Sequence, residues 1–296
     1  MSALRESRFT KSLVTFATEE YFHTLVLLFS TVVFVFFTTK EYIPMGARFV
    51  MSALLILLVT VREMRLRAIL LIWVVLGLAS NVYANFYVTA NHGFMITYIG
   101  LALLISCSAR ENSAVLMQRS AVFLISILMG LALIQKLVSG YYMSGNLIGT
   151  YLATGQMFQN LLSLLVPDWL QLVQDNLAAQ KALIADAGVT SVAISVPPVV
   201  QGIAIVLTYV ALASQAGLEV VILMRRRFGV WTHYAVLAFV LIIYSTRNEN
   251  VFLSMNLILG YAMTDEASKS VRIWYVIGVF YLMAMQMMGL RPGIIG

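Results

Sequence analysis

The sequence predicts an all-α protein, a polytopic bundle of about nine transmembrane helices with one further amphipathic helix in the interface on the outer side of the membrane. Hydrophobic residues make up 61% of the 296 residues, charged residues make up 11%, and the mean hydropathy is +0.90. These values lie outside the range of soluble globular domains. Many apolar runs in the sequence are close in length to the roughly 20 residues needed to cross a hydrocarbon core of about 30 Å. We see no linker or internal repeat, so residues 1–296 are predicted to form one transmembrane domain.

Nine apolar runs are the predicted spans, and in chain order they are 21–38, 46–61, 68–90, 93–109, 120–139, 197–224, 230–246, 251–264 and 273–290. The eighth run is short, so eight spans are expected if it is re-entrant or interfacial. The polar leader before residue 21 has no small-residue cleavage signature. The first run is therefore expected to be a retained span and not a signal peptide.

The basic residues follow the positive-inside rule when the amino terminus is placed in the cytoplasm. Most then fall in inner segments, among them Arg62, Arg65, Arg67 and the run Arg225–Arg227. This bias predicts nine spans with the amino terminus inside and the carboxyl terminus outside. The net charge of +6 thus reflects membrane topology, and no nucleic-acid partner is expected.

One long connection, 140–196, is predicted on the outer side, and it contains a helical pattern too polar to span. Leu170, Val173, Leu177 and Ile184 recur at helical spacing on one side of this segment. Two interpretations are open. The helix lies in the membrane interface over the outer mouth, or it packs against the rim of the bundle.

Lys136 stands near the end of a predicted span, in the stretch "QKLVSGYYMSG". It is either an anchor, with its amine among the lipid headgroups, or a partly desolvated lysine that acts as a base. With nine spans, several polar residues are allowed on the same outer side as Lys136. The predicted pocket consists of Asn81, Asn85, Asn91, His92, Lys136, Tyr141, Tyr142, Asn248 and Asn250. For His92, exposure to water in a loop is the alternative.

A second polar pair is predicted on the inner side. Glu219 and His233 lie seven residues before and seven after Arg226, so a tight hairpin would bring them to one depth. A glutamate in a membrane needs a partner. The pair is either structural or part of a proton path.

Several common sites are not expected in this chain. The single cysteine, Cys107, excludes an intramolecular disulfide and a cysteine-based metal cluster. The three histidines are widely separated, and no P-loop, GxGxxG, GxSxG or HExxH motif of the expected context is present. Haem, zinc, other metals and nucleotides are therefore not predicted ligands.

Four segments resemble one membrane-protein family. They are "ANHGFMITYIGLALLISC", "GLALIQKLVSGYYMSGNLIGTYL", "GLEVVILMRRRFGVWTHYAVLAF" and "RNENVFLSMNLILGYAM", which occur in this order. They are similar to the membrane domain of vitamin K-dependent gamma-glutamyl carboxylases and to the wider HTTM (horizontally transferred transmembrane) families, which include short bacterial members. The resemblance implies that Lys136 deprotonates a hydroquinone and that His92 is an active-site histidine.

The resemblance implies a quinone or hydroquinone cofactor and modification or maturation of a peptide at the outer face of a bacterial cytoplasmic membrane. The expected partners are the lipid bilayer and either a peptide substrate or a membrane-protein partner. The alternative is a non-catalytic membrane subunit that binds a quinone, a lipid or a partner helix within a larger complex. Whether the protein is an enzyme stays open at this point.

Overall fold

The computed structural model describes residues 8–86, 91–109, 112–185, 193–246 and 249–289, and every regular element in these ranges is helical. The α-helices are α1 (Arg8–Glu19), α2 (Tyr21–Thr39), α3 (Met45–Thr60), α4 (Met64–Ala84), α5 (Asn91–Ser108), α6 (Ser113–Val138), α7 (Gly140–Met143), α8 (Asn146–Ala153), α9 (Gln159–Leu165), α10 (Trp169–Ala185), α11 (Pro198–Leu223), α12 (Arg225–Phe228), α13 (Val230–Thr246), α14 (Asn250–Ala262) and α15 (Arg272–Met287). A 3-10 turn, Lys269–Val271, precedes α15.

Each of the nine predicted spans is a helix in the structure, namely α2 to α6, α11 and α13 to α15. The largest differences in bounds are that α4 ends at Ala84 instead of 90 and that α6 begins at Ser113 instead of 120. Good helix formers such as Gln118 and Arg119 extend α6 beyond its apolar part.

Within the described ranges, five segments are long and apolar enough to cross a membrane: Tyr21–Thr39, Met64–Ala84, Ser113–Val138, Pro198–Leu223 and Lys269–Met287. The helices α3, α5, α13 and α14 are apolar but shorter. The prediction of a membrane-type helical bundle is supported by these helices. The number of spans stays a prediction.

The chain divides into two compact units. The first consists of Met1–Ser126, Ile222–Val240 and Glu249–Leu290, and the second of Ile127–Val221, Leu241–Asn248 and Arg291–Gly296. This division does not test the prediction that residues 1–296 form a single transmembrane domain, so that prediction stays open.

Helix α14 is the central helix of the first unit. Twelve of its thirteen residues are buried, and it packs against α2 and α15. At Gly260 an added Cβ would lie 2.4 Å from the Tyr275 ring, so only glycine allows α14 and α15 this close approach. Helix α14 is thus enclosed by protein on nearly all sides, and whether it spans the membrane or is re-entrant or interfacial stays a prediction.

The second unit contains an insertion, residues 140–185, that carries its own apolar core. Leu152, Trp169 and Val173 of the insertion pack with Val200 and Ala204, which belong to the first two turns of α11. The insertion is therefore a folded element seated on one end of α11, and not an irregular loop.

Two polar or backbone features hold the insertion in place. Gly145 has a φ of 77°, and an added Cβ there would lie 3.0 Å from the backbone nitrogen of Ile205. The amide of buried Asn176 donates to the carbonyls of Ala153 and Ser195, at 2.9 and 3.0 Å, and accepts the Ser195 N–H at 2.9 Å. These three hydrogen bonds satisfy polar groups that would otherwise be buried without partners.

The predicted apolar side of α10 differs from the one that the insertion buries. Trp169, Val173 and Asn176 are buried, whereas Leu170 and Leu177 are exposed by 55% and 36%. The side chain of Ile184 lies outside the described part of the chain. The buried side of α10 differs from the predicted stripe because it includes Trp169 and Asn176. Trp169 belongs to the apolar core of the insertion, and Asn176 forms hydrogen bonds beside it.

Candidate functional site

Lys136 lies in the last turn of α6, and its side chain turns toward other protein groups of the second unit. Its Nζ donates a hydrogen bond of 2.5 Å to Oε1 of Gln215 in α11. The same Nζ lies 5.5 Å from the centroid of the Tyr142 ring, within the range of a cation–π contact. The amine of this half-buried lysine is thus held by an amide and an aromatic face.

Gln215 is 3% exposed, and its orientation follows from its two partners. Its Nε2 donates to the carbonyl oxygen of Met129 at 2.8 Å. Because a carbonyl can only accept, the NH₂ group of the amide must point to Met129 and Oε1 must point to Lys136. Gln215 therefore presents an acceptor to the lysine in either protonation state of the amine.

The position of Gln215 also locates the lysine amine along α11. Gln215 follows Pro198 by 17 residues in a helix of 26 residues, a rise of about 25 Å along a total of about 39 Å. The amine of Lys136 therefore lies beside a part of α11 that is well separated from the end where α11 begins. The depth of Lys136 in a membrane stays a prediction.

The two neighbouring tyrosines differ in what they contact. Tyr142 is 6% exposed, and burial raises the pKa of its phenol above the ordinary value, so the phenol stays protonated at neutral pH. Tyr141 is 53% exposed, and its hydroxyl lies 2.9 Å from Oγ1 of Thr150. Tyr142 contacts the amine of Lys136 through its ring, whereas Tyr141 contacts Thr150. Successive residues of a helix point about 100° apart.

Other members of the predicted pocket belong to the first unit. His92 is half-buried near the start of α5, with its ring edge-on to Phe36 at 5.9 Å. Nδ2 of Asn85 donates to both O and Oδ1 of Asn81 at 3.1 Å, so the two asparagines face each other at the end of α4. Asn91 is the first residue of α5.

Asn250 was predicted in an outer turn, but it lies in the first turn of α14 and is 2% exposed. Its Nδ2 donates to Oε1 of Gln286 at 3.4 Å. Asn248 lies outside the described residues. Lys136, Tyr141 and Tyr142 belong to the second unit, whereas His92, Asn81, Asn85 and Asn250 belong to the first. The shared pocket and the joint role of Lys136 and His92 stay predictions.

His233 has a partner that the sequence did not indicate. It is 6% exposed, and its Nδ1 lies 3.1 Å from the hydroxyl of Tyr275 in α15. The sequence predicted Glu219 in this role, and Glu219 is a half-buried residue of the second unit. The pairing of Glu219 with His233 stays a prediction, whereas the contact of His233 with Tyr275 is observed.

Arg272 forms a buried polar cluster that the sequence reading missed. Arg272 is only 4% exposed. Its Nε donates to Oγ1 of Thr264 at 2.8 Å, and its Nη1 donates to the carbonyl of Thr18. Its guanidinium lies 5.0 Å and 5.9 Å from the ring centroids of Tyr21 and Tyr261, which stack on each other. The cluster ties the α1–α2 junction to α14 and α15.

Arg67 is a second arginine whose burial the loop count did not anticipate. It is 3% exposed, donates from Nε to the carbonyl of Val61 at 2.7 Å, and lies with Nη2 2.6 Å from Nδ1 of His23. Because the guanidinium can only donate, Nδ1 of His23 must accept, and a neutral His23 carries its proton on Nε2. Both arginines act in these contacts as structural groups within the first unit.

Within the described ranges, no three His, Cys, Asp or Glu side chains are grouped in a way that could hold a metal ion. Cys107 is buried. Comparison of the chain with protein-family models, with curated proteins and with solved structures found no match in any of the three.

Proposed function

We propose that this is an integral membrane protein of the HTTM type in which Lys136 accepts a proton from a quinol-type ligand, in the modification or maturation of a peptide outside the cytoplasm. The observation that carries the proposal is the 2.5 Å hydrogen bond from Nζ of Lys136 to the buried Gln215. An anchoring lysine needs only length and charge, and it places its amine among headgroups. The amine of Lys136 is instead directed to a buried side chain, where a bound ligand could exchange a proton with it.

A quinone or hydroquinone is the cofactor that the resemblance implies, and the surroundings of Lys136 suit it. Leu133 and Leu212 lie three residues before Lys136 and before Gln215, and both belong to the apolar cluster of Tyr142. Such side chains favour a flat ring, while an amine and an amide offer it polar partners. When bound, a hydroquinone supplies a weakly acidic hydroxyl group. Neutral Lys136 would take that proton, and Gln215 with the face of Tyr142 would stabilise the ammonium.

The second candidate is a non-catalytic membrane subunit that binds a quinone, a lipid or a partner helix in a larger complex. It is favoured by the two hydrogen bonds of the Gln215 amide, which join α11 to Met129 and to Lys136 of α6. Two hydrogen bonds from one glutamine to one helix also serve to hold that helix in place. In this case the charge of Lys136 matters and its proton exchange does not.

Arginine at position 136 separates the two candidates, because it keeps the charge but does not lose its proton in a protein. We expect Lys136→Arg to insert and accumulate normally, to keep any co-purifying quinone, and to lose quinol-dependent turnover or the cellular activity. Lys181→Arg is the matched control, since Lys181 is an exposed lysine of the same unit. A fully active Lys136→Arg protein contradicts proton exchange and favours the subunit.

The proposal places the protein in a bacterial cytoplasmic membrane, with the amino terminus inside and the carboxyl terminus outside. Reporter tags at the amino terminus and in the 62–67 segment are expected in the cytoplasm, and tags near 180 and at 296 outside. A cytoplasmic tag near 180 would refute this topology. The chemistry of Lys136 would then have to be assigned to the cytoplasmic side.

A further inference from the structure

Helix α9 in the insertion exposes most of its apolar side chains. Leu162 is buried in the core, but Leu161, Leu164 and Leu165 are exposed by 45%, 83% and 63%. These three residues have the spacing i, i+3, i+4, so they share one side of the helix. A side of three exposed leucines on a helix of seven residues is not expected of a segment surrounded by water.

Helix α10 continues the pattern beside its buried stripe. Leu170 and Leu177 are seven residues apart, lie on one side of the helix and are exposed. The opposite side is polar, where Nε2 of Gln171 donates to Oδ1 of Asp175 at 2.9 Å. Exposed Lys181 lies one turn after Leu177, next to the leucines. Helix α10 thus has a buried side, an exposed apolar side with a lysine, and a polar side.

The length of α11 indicates which surroundings the exposed apolar sides of α9 and α10 have. At 26 residues α11 is about 39 Å long, which exceeds a hydrocarbon core of about 30 Å. The insertion packs on the first two turns of α11, through Val200 and Ala204. The excess over the hydrocarbon is about 9 Å, or about six residues, and Val200 and Ala204 lie within the first seven residues of α11. Placing this excess at the amino-terminal end of α11 puts the insertion at the level of the headgroups.

We infer that α9 and the Leu170–Leu177 side of α10 are buried in the interfacial layer of the leaflet at the amino-terminal end of α11. Lipid is the occupant that fits, because the leucines suit acyl chains and Lys181 beside them suits a lipid phosphate. The polar side with Gln171 and Asp175 faces water. This inference does not depend on any chemistry of Lys136.

Spin labels at single cysteines test the inference in mixed phosphatidylcholine and phosphatidylglycerol vesicles. Leu164→Cys and Leu177→Cys are the test positions, and Ala182→Cys is the control on the side of Gln171 and Asp175. The native Cys107 is 1% exposed, so the unchanged protein reports background labelling. Collisions of each label with oxygen, which concentrates in lipid, and with a water-soluble nickel chelate are compared by power saturation.

We expect the ratio of oxygen to nickel collisions to be several-fold higher at 164 and 177 than at 182. Equally low ratios at all three positions would show that α9 and α10 lie in water, and equally high ratios would show that the side with Gln171 and Asp175 does not face water; either result would overturn the inference. Labels at 164 and 177 that are immobilised and shielded from both reagents would show a protein partner or a second copy in place of lipid. That outcome also overturns it.

Discussion

The hydrogen bond between Lys136 and Gln215 makes a quantitative prediction for the second unit. Gln215→Leu replaces the amide with an apolar side chain of similar size and removes both polar contacts of the amide, to Met129 and to Lys136. The carbonyl of Met129 lies inside α6 and keeps its place in the helical hydrogen-bond ladder. The main loss is therefore the acceptor of the lysine amine.

The size of that loss follows from the environment. A hydrogen bond to a charged group contributes about 1.5–3 kcal/mol in soluble proteins. Side-chain hydrogen bonds between membrane helices average about 0.6 kcal/mol and reach about 1.7 kcal/mol in double-mutant cycles. Since Lys136 is half-buried and its flexible stem can find other polar partners, we expect a coupling of about 1 kcal/mol between Lys136 and Gln215.

Unfolding in mixed detergent micelles measures this coupling for wild type, Lys136→Met, Gln215→Leu and the double variant. We expect the double variant to be more stable, by about 1 kcal/mol, than the sum of the two single losses implies. Additive losses would refute the interaction and remove the observation on which the proposed role of Lys136 rests. A Gln201→Leu variant is a control, because Gln201 lies in the same helix and donates to other groups.

Two further predictions concern the first unit. Gly260→Ala places a Cβ 2.4 Å from the ring of buried Tyr275 and is expected to lower the free energy of unfolding by about 1–3 kcal/mol in the same assay. Gly217→Ala is the control, because its added Cβ has no atom within 4 Å, and it should be neutral or slightly stabilising. Equal stabilities of the two variants would contradict the close packing of α14 on α15. Partial burial acts to raise the pKa of Asp265, but hydrogen bonds from the hydroxyl and N–H of Ser268 hold that pKa below its ordinary value. A lowered pKa stabilises the folded state above the unfolded value of about 3.9, and this stabilisation is lost as pH falls through the folded value. The melting difference between wild type and Asp265→Asn should therefore be constant above about pH 5 and shrink below about pH 4. A difference that instead grows in acid would show that the carboxylate is not the stabilising form.

Local contacts in the candidate site could be predicted, and distant ones could not. The facing of Asn81 and Asn85 follows from a spacing of four residues on one helix. The contact of Lys136 with Gln215 joins residues 79 apart, and that of His233 with Tyr275 joins residues 42 apart. Such contacts depend on how each helix is rotated about its axis, and a nearly uniform apolar composition carries little information about rotation.

The sequence by itself determined the nine long apolar helices and α10, because apolar length, charge and breakers such as Pro198 and Gly229 act locally along the chain. The helices α1, α7, α8, α9 and α12 were not predicted. The tertiary structure alone decided that α14 is enclosed, that Arg272 is buried among tyrosines, and that the insertion is a folded element on α11. The physical reason is that burial depends on neighbours distant in sequence. An arginine at a span end and a short apolar helix each have the same local pattern whether they face lipid, water or protein.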